Sequence, residues 1–316
     1  MKQFTACVFG ASLLAATGAF AQSSAVGDRF YITGYGELGY YDTGSNDGGF
    51  YRIDTDMGLA PLPGANGLGI GFGFSLGIDA YGESGYDASA LYPAIELGSG
   101  IGKFSFGVPR SVLDRGYFPE RKFANNSSVD LELRTIEASV VGSHYLHSDD
   151  TIYGLRYDGT FGNTKVGASY HYIDATSSNA DAFAIAASHS FAGPSSMVDF
   201  MLYGGVEHLT STSSDMTKYR IGAEGYWDKM TVGVSYTDWD TSSSLTFTTA
   251  YVDYIVLDDL TLTASLGHIG SGSGTNIYGV GVQYDFLKKA YVKASILDTD
   301  SSGSDPFVEV MLGWKF

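Results

Sequence analysis

The run Asp298-Thr299-Asp300-Ser301-Ser302-Gly303, with Glu309 at the twelfth place, has the oxygen-ligand spacing of a calcium-binding loop. Such a loop needs two flanking helices, whereas the residues on both sides alternate as strands do, and Glu309 belongs to that alternation. A solvated surface loop is the better reading, with calcium at Asp298, Asp300 and Glu309 the weaker one. Six histidines are scattered along the chain, His144 and His147 close together and His171, His189, His208 and His268 apart. H-E-x-x-H does not occur, so no metal centre is written in that motif. His189, His208 and His268 fall in outward rows, where a lipase would need a serine beside one of them. No catalytic step is expected.

Fixed charge offers more. Arg52, Lys103, Arg156, Lys165, Arg220 and Lys293 occupy the polar positions of alternating segments. A ring of such charges at a narrow point sets the ion preference of a passage, because ions lose screening water there. The other reading is that they pair with Asp54, Asp56 or Glu224 and only solvate an interior, and spacing leaves both open. Between Arg110 and Asp149 the acids Asp114, Glu120, Asp130, Glu132 and Glu137 face the bases Arg110, Arg115, Arg121, Lys122 and Arg134. Folded inward, that even balance implies weak selectivity. The whole chain carries 35 acidic against 18 basic groups, which excludes a nucleic-acid partner on charge.

The elements that hold these residues are strands. Leu68, Ile70, Phe72, Phe74, Leu76 and Ile78 alternate with Gly69, Gly71, Gly73, Ser75 and Gly77, so one face is apolar and the other small. Comparable rows recur to the end of the chain, closing with Val308, Val310, Leu312, Trp314 and Phe316. They give sixteen strands between 29–42 and 307–316, with the fourth at 91–97 and the fifth at 102–109. Every second connection reads as short, the intervening ones as longer and rich in Ser, Asp and Gly. The longest is the stretch 110–149.

No run on the order of 18 apolar residues follows Tyr31, so a transmembrane helix is excluded. The chain opens as a secretory leader does: Met1-Lys2, an apolar stretch from Phe4 to Ala16, and Ala19-Phe20-Ala21 before Gln22. A leader of 1–21 leaves one domain, 22–316, without cysteine, since Cys7 is the only one. Tyr40, Tyr51, Tyr172, Tyr236 and Tyr278 cluster at one set of strand ends, Phe286, Trp314 and Phe316 at the other. Two aromatic girdles, an even strand count and a Gly/Ser/Thr-rich inner face fit an all-β transmembrane antiparallel barrel better than a soluble sandwich or propeller. Sixteen strands would leave a water-filled lumen.

Three stretches resemble the general porins of Gram-negative bacteria, most closely the alphaproteobacterial type. They are Gly102-Lys103-Phe104-Ser105-Phe106-Gly107, the long insert directly after that strand, and the terminal strand ending in Trp314-Lys315-Phe316. The enteric porins carry Pro-Glu-Phe-Gly-Gly in the insert, whereas here Pro119-Glu120 is followed by Arg121-Lys122-Phe123. The resemblance implies an outer-membrane diffusion channel with an inward-folded constriction loop after the fifth strand. By strand parity and the charge of the insert, Asp114 and Glu120 are expected to face Arg52, Lys103, Arg156 and Arg220 at such a constriction, and the acidic surface loops at the mouth to tip the passage mildly toward cations. The resemblance also implies a homotrimer among outer-membrane lipids, with Trp314 and Phe316 read by the outer-membrane assembly machinery. The alternative is a structural or adhesive barrel plugged by 110–149.

Overall fold

The computed structural model describes residues 29–61, 69–83, 85–119, 123–148, 150–175, 179–192, 198–211, 215–240, 245–270, 274–301 and 305–316. The expected leader and Glu120 lie outside them. Sixteen strands run in order: β1 Phe30–Asp42, β2 Asp47–Leu59, β3 Gly71–Glu83, β4 Tyr86–Ser99, β5 Gly102–Gly107, β6 Thr151–Phe161, β7 Thr164–Asp174 and β8 Ala180–Phe191. They continue as β9 Asp199–Ser211, β10 Asp215–Trp227, β11 Met230–Asp240, β12 Leu245–Leu257, β13 Leu260–Gly270, β14 Thr275–Tyr284, β15 Ala290–Thr299 and β16 Phe307–Lys315. Each strand pairs antiparallel with its sequence neighbours, and β1 pairs with β16 through Tyr35↔Lys315 to Asp42↔Val308. The barrel is closed.

Closure follows from the solvent. In hydrocarbon every unpaired N–H or C=O costs several kcal/mol, so a spanning sheet cannot keep an edge. Register then sorts the faces: Leu38 stands opposite Leu312 and Tyr51, and Ile221 opposite Tyr236. The outer row is apolar and open, with Leu38 58% and Ile221 64% exposed. The inner row is polar and buried, with Arg52, Lys218 and Glu309 all at 0%. That inversion of a soluble fold is what lipid on one side and protein on the other produce. Exposed Tyr40, Tyr153, Tyr170, Tyr219, Tyr236 and Tyr278 ring one end, and Phe161, Phe191, Phe200, Trp227, Tyr284 and Phe286 the other. Tyr40 and Tyr170 donate their hydroxyls to Asp47 and Asp181 at the first rim.

Two expectations change. The loop contrast rests almost wholly on the connection between β5 and β6. At the same end, 43–46, 84–85 and 271–274 are as short as turns, while 60–70 and 192–198 at the opposite end are longer. β4 also starts at Tyr86, well before 91, so Asp87 belongs to a strand and not to a surface loop. Its inner row opens with Ala88 and Ala90, too weakly apolar to read as a strand from sequence, yet both are buried.

The glycines have a use that alternation did not reveal. A methyl group on Gly222, Gly233 or Gly313 would run into the ring of Tyr203, Tyr251 or Tyr291 on the neighbouring strand. These rings lie flat on the inner wall because the glycines leave room. The small inner face is therefore a set of aromatic sockets as well as a wetted surface.

Candidate constriction of the lumen

The segment between β5 and β6 contains a 3₁₀ turn at Phe123–Asn125 and two helices, α1 Ser128–Glu137 and α2 Val140–His147. Its side chains and backbone bond inward-facing residues of β1, β2, β9, β10, β11, β13, β15 and β16, so it runs through the lumen.

The first attachment is ionic. Arg110 reaches Asp54 at 2.9 Å and Asp56 at 3.0 Å, and stacks over Tyr92 at 4.5 Å. Arg115 reaches the same acids at 2.7 Å and 2.9 Å. Burial alone would lower the Arg110 pKa, but the carboxylates of Asp54, Asp56 and Asp79 outweigh it and hold that pKa above the ordinary guanidinium value. Arg156 on β6 grips Asp158 and donates to the carbonyls of Arg110 at 3.1 Å and Arg115 at 2.9 Å. His171 lies 2.7 Å from the Pro109 carbonyl.

The second attachment is the turn. Ala124 and Asn125 both adopt left-handed backbone, at φ 50° and 63°, a conformation that disfavours residues with a Cβ. They hold it because the wall surrounds them. Ala124 N–H donates to Ser265 at 3.0 Å, Asn125 to Thr263 at 2.7 Å and Asn126 to Ser295 at 3.1 Å. Phe123 and Ala124 pack with Leu133 against Phe247, Ile277 and Leu297, over Gly279 and Gly281.

The third attachment joins α1 to α2. Glu137 meets Arg220 at 3.4 Å and Ser235 at 3.0 Å. Glu207 accepts the Ser139 hydroxyl and, at 2.6 Å, the Val140 N–H. Asp114 accepts Ser139 N–H at 2.8 Å.

Beside α1 remains an opening of about 530 Å³. Acids Asp54, Asp114, Glu137 and Asp253 line it together with bases Arg220, Lys293 and Lys315, the rings of Phe118, Tyr203 and Tyr251, and Gln283. Of the expected constriction residues, Arg220 and Asp114 stand on this opening. Arg52 does not; it is buried against Asp79 at 3.3 Å. Lys103 pairs with Glu96 at 2.7 Å, and Arg156 lies behind the segment's backbone. Lys218, which shares the inner row of Arg220, carries no signal of its own in the sequence, and Arg110 and Arg115, loop charges by position, bind the wall. The residues weighed for calcium separate: Glu309 faces the lumen and accepts Ser127 and Ser128 N–H, whereas Asp298 stands in the outer row opposite Tyr278. Among the described residues no group of three or more His, Cys, Asp or Glu side chains could hold a metal.

A sequence-family profile described as Gram-negative porin matches residues 6–304. No curated protein matches the sequence. Among solved structures, a porin refined at 1.8 Å resolution is 18% identical, with a TM-score of 0.62 over 91% of this chain and 100% of its own. A mutant of the Rh. blastica porin is 17% identical, with a TM-score of 0.60 over the same shares. A loop-deletion mutant of OmpT, an outer-membrane protein of Vibrio cholerae, is 14% identical, with a TM-score of 0.63 over 91% of this chain and 99% of its own. At such identities these likenesses speak to the fold alone.

Proposed function

The chain belongs to the Gram-negative porin family and forms an outer-membrane channel, and from that premise we propose that small hydrophilic solutes and ions diffuse through the opening beside α1 with a mild preference for cations. The observation that carries this is the mixed lining. Arg220 is already paired with Glu137, and Lys293 with Glu37 at 3.3 Å, so neither sign dominates the narrow part. The tilt toward cations comes from the mouth. Outside the inward-folded segment between β5 and β6, the described strand ends and connections at the rim nearest α2 carry Asp42, Asp47, Asp87, Asp174, Asp181, Asp215, Asp238, Asp240 and Asp298 and no Lys or Arg. Such exposed charge is screened beyond about 8 Å at physiological salt, which keeps the preference small. Reversal potentials under a KCl gradient test it, and a strong anion preference would overturn it.

The opening also supports passage over a plugged, purely structural barrel. The same proposal includes export by cleavage of 1–21, assembly directed by Trp314 and Phe316, and a homotrimer as family resemblance implies. Migration near three times the monomer mass before boiling, and at the monomer mass after, tests the trimer.

A further inference from the structure

Helix α1 carries a macrodipole, positive at its N-terminus and negative at its C-terminus, with unsatisfied N–H and C=O groups at the two ends. Both ends find partners on the barrel wall, and the partners have complementary charge. At the N-terminus, the Glu309 carboxylate on β16 accepts Ser127 N–H at 2.7 Å and Ser128 N–H at 3.0 Å. Glu37 on β1 accepts the Ser127 hydroxyl at 2.6 Å, and Asn126 Oδ1 accepts Val129 N–H at 2.7 Å. At the C-terminus three successive carbonyls are taken by wall donors. Trp239 on β11 donates to Ile136 O at 2.8 Å, Arg220 on β10 to Glu137 O at 3.4 Å, and Lys218 on β10 to Ala138 O. Lys218 is held there by the Trp239 ring, 4.1 Å from its ammonium. In the closed strand order, β10 and β11 lie nearly opposite β16 and β1. Ten residues of helix, about 15 Å long, thus cross between two walls.

We propose that α1 is a strut braced at both ends by wall charges matched to its dipole, and that Glu309, Lys218 and Trp239 are positioning residues that set the channel's size limit although none lines the opening. The inference rests on the channel reading above. Its logic is mechanical. Leu133, Glu137 and Ala138 of this segment border the opening, so the bore is fixed only while both ends are held. Reversing the helix would put like charge at each end, so the wall also dictates its direction. Because the strut needs both attachments, loosening either should release the same constraint, and a double change should add little to a single one.

The test uses Glu309→Gln, which keeps the shape and an acceptor while removing the charge, and Lys218→Met, which keeps the stem. Each loses a charge-assisted bond, which shifts the balance roughly ten- to a hundredfold toward a released end. Ser127 and Ser128 amides in Glu309→Gln should exchange faster by about that factor. Single-channel conductance should rise and liposomes should admit larger oligosaccharides, to the same extent in either variant and in the double variant. In both variants the paired amides of β1 and β16, from Tyr35↔Lys315 to Asp42↔Val308, should keep their exchange protection, which a variant that merely misfolds would not do. Folded variants with unchanged conductance and size limit, or effects that add independently, would refute the strut. A wild type that never conducts would refute the channel reading and the size-setting role together.

Discussion

The ring of Tyr251 on β12 lies across Gly233, its register partner on β11, in the space where any Cβ would stand. Tyr251 also lines the opening, so the glycine decides how far the ring projects into the passage. Gly233→Ala is expected to push the ring inward, lowering single-channel conductance, at a cost in stability of about 1–3 kcal/mol from overpacking. Paired conductance and thermal measurements check it; an unchanged conductance would show that the ring slides along the wall instead.

Arg110 is expected to be the costliest single loss in the lumen. Its side chain is 6% exposed, and its removal leaves Asp54, Asp56 and Asp79 crowded with less compensation. Breaking a buried pair in this way costs about 3–5 kcal/mol. Arg110→Ala should lower the temperature at which the folded band disappears on a gel, and Arg110→Lys should rescue it poorly, since a point charge cannot span Asp54 and Asp56 as a guanidinium does. Full rescue by lysine would contradict the two-acid geometry.

A pH effect is expected at the rim. Asn276 donates its backbone N–H to Asp300 at 2.8 Å and its side-chain amide at 2.5 Å, which together hold the Asp300 carboxyl below its ordinary pKa. A depressed folded-state pKa stabilises above the unfolded value and loses that contribution as pH falls through the folded one. Asn276→Ala keeps the backbone donor, so the Asp300 pKa should rise part of the way toward its ordinary value. An NMR titration reads this directly, and no movement would mean that the backbone bond alone sets it.

Deleting Phe316 should lower the amount of protein reaching the outer membrane while leaving export to the periplasm intact. Its N–H donates to Gly34 O at 2.9 Å and its ring lies over Gly36, so it completes the pairing of β16 with β1. Cell fractionation decides it; normal outer-membrane levels of the shortened chain would remove both the signal role and this packing role.

The barrel was legible because lipid and lumen impose a period of two, and Leu68 to Ile78 or Val308 to Phe316 obey it without help from distant residues. Parity also placed Arg220 on the inner row. What stayed hidden depends on partners far along the chain. Glu309 reads as a residue of the last strand with a weak calcium alternative, because nothing local says that it caps a helix at Ser128, and Lys218 carries no local signal because Ala138 is its partner. Helix α1 is ambiguous in the sequence itself, since Val129, Leu131, Leu133 and Ile136 fit either period. Its ends are fixed by wall charges, which no window around it contains.

The pairing of Tyr35 with Lys315 joins positions separated by nearly the entire chain, the widest separation in the strand register. Its loop-closure entropy can be offset only after the intervening strands have ordered, so it is expected to form late and slowly. Until then β1 and β16 are two bare edges, able to template one another or a foreign strand. The time between synthesis and closure is thus the chain's most aggregation-prone interval, and its length is set by topology more than by any single side chain.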